Sequence, residues 1–231
     1  AALEDRILKT GRCRLGLSGG STPAPLYQWL REHVPAQWYP QLLVTWVDER
    51  HLPLDAPTGP GEWRSFHSES NVRLAYEHWL AHVPLDPARV LPMSLGGAIG
   101  PQILRFGRAF MTQFDGQLDV AILGAGPDGH IASLFPDHPG LDVVDVCFAV
   151  HDSPKPPRER ISLTLPTLNQ TAFTFVLARG EAKAAMLELA YDGASELPLA
   201  RLCPDGSYHW VLRRDAATKI VARWRDPQPN S

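Results

Sequence analysis

A chain of 231 residues with 44% hydrophobic and 20% charged side chains has the balance of a globular protein and enough length to bury a large core. A net charge of −3 gives no electrostatic case for nucleic acid or an anionic membrane, so an anionic ligand has to be caught by local cations and amides. Three scattered cysteines, Cys13, Cys147 and Cys203, support neither a disulfide framework nor a zinc site, and no apolar run reaches the ~20 residues of a membrane helix.

In chain order, apolar patterning predicts a strand at Arg12–Leu17, a helix at Ala24–His33 and a strand at Leu42–Asp48. Helices at Asn71–His82 and Ile99–Phe114 follow, then strands at Leu118–Leu123, Val146–Asp152, Arg160–Leu165 and Ala172–Ala178. A helix at Glu181–Ala190, with Gly180 before it, and a strand at Tyr208–Arg213 complete the series. Leu42–Val47 and Val120–Leu123 are almost continuously apolar, which suits strands covered on both faces. Strands alternating with helices imply βαβ units around a mainly parallel sheet, an α/β fold in one domain spanning residues 1–231. Prolines punctuate the connections at Leu52–Pro60 and Asp152–Pro157 and the tail Asp226–Ser231, and Pro53–Gly61 reads as a loop without periodicity. Nothing at the start resembles a signal peptide, and a cytoplasmic protein is expected.

The stretch Leu118–His130 carries the most chemical information. An apolar run ends in a glycine-rich turn, Gly124-Ala-Gly-Pro-Asp-Gly-His130, which delivers Asp128 and His130 at the carboxyl edge of a sheet. Residues Ile131–Leu134 read as the opening of a helix, where backbone amides favour anions. A neutral imidazole takes a proton at pH 7, so His130 is the candidate general base. A tight turn whose His merely packs or caps has the same local pattern.

Three further segments point to an anion. Ser18, Gly19, Gly20, Ser21 and Thr22 form a second strand-to-helix turn, with Pro23 at the helix start, and curl amides and hydroxyls around a concave nest. It is neither a Walker loop nor GxGxxG, and a plain capped turn has the same pattern. In Trp46-Val-Asp-Glu-Arg50, strand alternation puts Asp48 and Arg50 on one side and Glu49 on the other. That Asp and Arg could hold a His, a water or a phosphate, or form a solvent-facing salt bridge. Ser153-Pro-Lys-Pro-Pro-Arg-Glu-Arg160 is a proline-stiffened basic loop whose Lys155 and Arg158 suit a preorganised anion site, or else a solvated charge run. His51 and His138 lie near these segments as weaker candidates.

Ser18-Gly-Gly-Ser-Thr-Pro23, Val47-Asp-Glu-Arg50, Gly124–Pro136 and Ser153–Leu165 occur in the order and at the intervals seen in 6-phosphogluconolactonases, which the chain resembles from about Leu15 to about Leu189. The resemblance implies a Rossmann-like three-layer α/β sandwich of the deaminase/ribose-phosphate-isomerase type. It also implies hydrolysis of 6-phospho-D-glucono-1,5-lactone to 6-phospho-D-gluconate, the second step of the oxidative pentose phosphate pathway, with no metal or other cofactor. His130 would activate water, and Asp48 would orient or support His130 or the water. Arg50 and the amides of the turn containing Gly126, Asp128 and Gly129 would steady the oxyanion. Phosphate would lie against Ser18–Thr22 with Lys155 and Arg158, while Arg50 serves either phosphate or oxyanion. The implied partner is a small phosphorylated sugar lactone, with no nucleic acid and no membrane, and a monomer is expected.

Glucosamine-6-phosphate deaminases share the Gly-Ser-Thr-Pro loop and the Asp-Gly-His-Ile-Ala turn but generally continue with Phe-Asn-Glu-Pro, where this chain has Ser133-Leu-Phe-Pro136. They also follow the strand acid with Glu-Tyr rather than Glu49-Arg50. A sugar-phosphate-sensing domain of a transcription regulator is a further alternative, for which no helix-turn-helix is evident. The chain departs from the lactonase pattern in a longer Asp55–Phe66 loop and in Asp137-His138 after Pro136. The first strand lies so near residue 1 that the family's N-terminal helix and strand are expected to be absent or cut short.

Overall fold

The computed structural model describes residues 1–56 and 61–225; residues 57–60 of the proline-rich loop and the tail Asp226–Ser231 lie outside the described residues. The elements in chain order are α1 (Ala2–Thr10), β1 (Cys13–Leu17), α2 (Ala24–His33), β2 (Leu42–Trp46), β3 (Asp48–Arg50), α3 (Asn71–His78), β4 (Val90–Leu91) and α4 (Ile99–Gln113). There follow β5 (Val120–Gly124), β6 (Cys147–Val150), β7 (Arg160–Leu163), α5 (Leu165–Asn169), β8 (Phe173–Ala178), α6 (Ala184–Tyr191), α7 (Pro198–Arg201), β9 (Ser207–Leu212) and α8 (Thr218–Arg225). Among the described residues no helix is long and apolar enough to cross a membrane.

Six strands form one sheet in the order β4-β2-β1-β5-β8-β9, and every pairing in it is parallel. Parallel neighbours need crossover helices, and crossovers are right-handed. The path from β1 to β2 runs one way across the sheet and the path from β5 through β8 to β9 runs the other, so α2 and α6 cover opposite faces. The result is the α/β sandwich expected from the alternating pattern. All five residues of β1 are buried, as are Val120–Leu123 of β5, and each large side chain so removed from water contributes roughly 1.5–3 kcal/mol.

The strand expected at Leu42–Asp48 divides at Val47. The Val47 amide donates to the Leu17 carbonyl of the parallel sheet, at 2.9 Å, while its own carbonyl accepts from Leu163, also at 2.9 Å. Beyond it β3 joins a second, antiparallel sheet of order β3-β7-β6. That switch of partners carries Asp48–Arg50 off the main sheet and over its carboxyl edge.

Of the N-terminal helix and strand expected to be absent or cut short, a nine-residue helix is present as α1, and among the described residues no strand precedes β1. The helix ends at Gly11 in the left-handed region (φ 74°), buries Ile7, and sends Arg6 to the carboxylate of Asp119. The direction in which the chain winds reverses between β1 and β5, which are hydrogen-bonded neighbours with Leu15 opposite Val120. The two glycine-rich turns meet beyond the carboxyl ends of these strands, the place where open α/β sheets bind ligands.

Candidate active site

β5 runs into a closed turn. The Gly126 amide donates to the His130 carbonyl at 2.8 Å, and the Gly129 amide to the Gly126 carbonyl at 3.2 Å. A Cβ on Gly126 would stand 2.1 Å from the His130 ring, so only glycine lets the imidazole fold back over its own turn. No helix follows. Ile131 bridges both Ala125 and Leu134, Ala132 takes φ 49°, and Ile131, Leu134 and Phe135 are all buried before Pro136. The expected helix start at Ile131–Leu134 is thus a bridged turn, and the helix-amide environment assigned to His130 does not exist. The i, i+3 spacing of apolar residues there serves a hairpin-like tuck into the core.

His130 is held by its neighbours. Nδ1 lies 2.5 Å from Asp128 Oδ1, and the Lys155 ammonium is 3.2 Å from both. With Nδ1–H donating to the carboxylate, Nε2 is the basic nitrogen, and among the described residues it has no hydrogen-bond partner. Burial pushes the Asp128 carboxyl up, but hydrogen bonds from His130 and Lys155 outweigh it and hold the group well below the usual carboxylate range. The ring of Phe135 packs 4.9 Å from the imidazole.

Asp48 does not orient His130. Its carboxylate accepts from Ser133 Oγ at 2.7 Å and Asn71 Nδ2 at 3.3 Å, and lies 3.9 Å from Arg160 Nη1. Strand alternation gave the side on which Asp48 faces but not the neighbour waiting there, and the carboxylate on the imidazole is Asp128. Arg50 donates to the Glu69 carbonyl at 2.6 Å, while its buried Nε has no partner among the described residues. Glu49 is buried and accepts the amides of Arg50, Asn71 and Val72, closing the first turn of α3. Burial pushes it up to about 7, with Asp48 adding to the rise and the three amides opposing it.

Ser18 is buried, and its carbonyl takes the Tyr27 hydroxyl at 2.5 Å. Gly19 faces Asn71 so closely that a Cβ would overlap its side-chain oxygen at 1.8 Å. Gly20 takes φ 80° and Gly129 φ 81°. Ser21 is exposed and Thr22 half-buried. Gly124 lies beside the Ser18 hydroxyl, so this loop and the His130 turn share one rim.

Arg158 is not brought to this cluster. It is exposed, and its charge acts on Asp152. His51 binds Ser94 and the Gly97 carbonyl, and His138 pairs with Asp152. Sequence reasoning missed Lys183, whose ammonium donates to the Ala125 carbonyl at 2.6 Å. Burial pulls Lys183 down, and the charges of Lys155 and Arg179 lower it further. The available signal was a basic residue in the first turn of a helical segment that follows a sheet strand. Buried Arg160, Asn71 and Ser133, which join β3, β7 and the His130 turn, were missed as well. Among the described residues no cluster of His, Cys, Asp and Glu could hold a metal ion.

The arrangement can take a proton at Nε2, stabilise the resulting imidazolium with Asp128, and bind an anion by cations and backbone amides. Fold and site together define an α/β sandwich of the deaminase/lactonase type. A family described as glucosamine-6-phosphate isomerases/6-phosphogluconolactonase matches residues 1–210, and the chain belongs to that family. The 6-phosphogluconolactonase of Rattus norvegicus is 36% identical over 221 residues, 90% of this chain and 80% of that protein. The Streptomyces coelicolor 6-phosphogluconolactonase is 36% identical over 195 residues, 78% of this chain and 70% of its own length. The crystal structure of the Thermotoga maritima 6-phosphogluconolactonase matches with a TM-score of 0.80 at 25% identity, covering 91% of this chain and 89% of that one. A monomeric glucosamine-6-phosphate deaminase shares the fold, with a TM-score of 0.73 at 19% identity and coverage of 94% and 93%.

Proposed function

We propose that this protein hydrolyses 6-phospho-D-glucono-1,5-lactone to 6-phospho-D-gluconate, with His130 as the general base. The observation that carries the choice within the family is Phe135. It stands where deaminases place the glutamate of Phe-Asn-Glu-Pro, it is 2% exposed, and its ring lies against His130. Amine loss and ring opening call for an extra proton-relay acid at that point; lactone hydrolysis needs only water addition and protonation of the leaving oxygen.

In this reading Nε2 of His130 takes a proton from water as its oxygen bonds to the lactone carbonyl carbon. The resulting oxyanion is met by Arg50, because the Gly126 and Gly129 amides are already spent within the turn. Collapse breaks the bond to the ring oxygen, which receives the proton back from His130, and the new carboxylic acid then ionises to 6-phosphogluconate and a free proton. Asp128 fixes the tautomer and balances the imidazolium. Lys155 and Lys183, with the Ser18–Thr22 loop, receive the phosphate, and Asp48 serves the floor of the site through Ser133 and Asn71. Water is the only co-reactant, so the reaction as written calls for no cofactor. All these groups come from one chain, which fits a monomer, and one family match across residues 1–210 fits a single domain. A small phosphorylated metabolite as substrate fits a cytoplasmic enzyme.

Proton release on adding freshly prepared 6-phosphogluconolactone, run beside ammonia release from glucosamine 6-phosphate, tests this reading. Rapid proton release above the spontaneous rate with no ammonia is expected. Ammonia without enhanced proton release would assign the chain to the deaminases.

A further inference from the structure

Lys155 sits on a proline-rich loop closed at one end by Ser153, whose Oγ donates to the Lys155 carbonyl at 2.8 Å and accepts the Lys155 amide at 3.3 Å, and whose own amide donates to the Arg158 carbonyl at 3.1 Å. Pro154, Pro156 and Pro157 have no N–H, so the loop supplies few donors of its own for the carbonyls that follow. Arg160, the first residue of β7, supplies them from the other side. Its side chain is buried; Nη2 donates to the carbonyls of Lys155 at 3.0 Å and Pro156 at 3.2 Å, and Nε to that of Pro157 at 3.2 Å. The same guanidinium faces Asp48 at 3.9 Å and lies 5.8 Å from the centre of the Phe135 ring, which in turn packs on His130.

We infer that Arg160 is a positioning residue for the reaction: its fork pins three successive loop carbonyls and so sets the Lys155 ammonium against the Asp128–His130 pair. The planar fork is the operative feature. A lysine here keeps the charge but presents a point donor that cannot span three carbonyls in one plane. The inference rests on the reading of Lys155 as a phosphate-facing cation, and the two are separable by experiment.

The test is a double-mutant cycle of Arg160→Lys and Lys155→Ala, with kcat and KM for 6-phosphogluconolactone read by proton release. Lys155→Ala is expected to raise KM roughly 10–100-fold, the scale of a lost charge-assisted hydrogen bond. Arg160→Lys is expected to raise KM by roughly tenfold in the wild-type background and by less than about twofold in the Lys155→Ala background, the non-additivity of groups acting as a unit. If the two effects multiply, or if Arg160→Lys lowers thermal stability with KM unmoved, Arg160 only supports the fold and the inference fails. If Lys155→Ala itself leaves KM unchanged, the phosphate role of Lys155 fails and the inference with it.

Should Arg160→Lys not fold, the wild-type Arg160 Nε–H resonance gives the same decision. It should exchange slowly with solvent, and it should shift on adding 6-phosphogluconate in the wild type but not in Lys155→Ala. Exchange at the solvent rate, or an equal shift in both proteins, overturns the inference.

Discussion

At His130 the chemistry turns on which ring nitrogen carries the proton. Asp128 decides it by taking Nδ1–H at 2.5 Å, which leaves Nε2 basic. Because the hydrogen bonds of His130 and Lys155 hold Asp128 below the usual carboxylate range, it stays ionised wherever His130 is competent as a base. Asp128→Asn is therefore expected to lower kcat roughly 100–10,000-fold through a lost tautomer lock and an unsupported imidazolium. KM should change far less; proton-release kinetics read both parameters. An unchanged kcat in the Asp128→Asn variant would move the orienting role elsewhere. Lys155 faces this turn from a loop and Lys183 from the start of a helical segment, and that convergence gives a chain of net charge −3 a local concentration of positive charge.

Among the elements, strands were legible wherever the sheet covers both of their faces. The apolar runs at Leu42–Val47 and Val120–Leu123 supply β2, as far as Trp46, and β5, and the edge strand β9 was recovered from its own run within one residue at each end. Legibility failed where tertiary pairing overrides local pattern. Val47 reads as the middle of one strand, yet its two backbone groups bond to different sheets and β3 begins just beyond it. Ile131–Leu134 has helical spacing, but a left-handed Ala132 and the following proline make it a bridged turn. Helix α1 went unread although Leu3 and Ile7 face the core, and it is held by an ion pair to a residue 113 positions away. The motif residues of the site were found from spacing and chemistry. Asp48's partners, and the roles of Arg160 and Lys183, depend on which strand lies beside which, information no single segment contains.

For the whole molecule, the winding of the chain reverses between β1 and β5, and a buried ion cluster ties those strands together beneath the site. Asp119 accepts the backbone amide and guanidinium of Arg14, and Arg6 of α1 completes the cluster at 2.7 Å. Burial raises the Asp119 carboxyl, but the hydrogen bonds and charges of Arg14 and Arg6 win and hold it below its ordinary value of 3.8. A carboxylate with a depressed folded pKa contributes stability that is present above its unfolded value and lost as pH falls through the folded one. Asp119→Asn should destabilise the protein by roughly 1–3 kcal/mol at neutral pH, since it removes charge-assisted hydrogen bonds from a buried guanidinium that keeps Asp115 and the Phe114 carbonyl. It should also remove this cluster's share of the stability lost below about pH 4. Urea titrations at neutral and acid pH measure both effects, and equal stability of the two proteins at pH 7 would show the cluster to be dispensable. If an Asp128-held His130 is the base for lactone hydrolysis on this scaffold, His130→Ala should bring proton release from fresh 6-phosphogluconolactone down to the spontaneous rate while calorimetry still detects binding of 6-phosphogluconate. Turnover near that of the wild type would show that His130 is not the base.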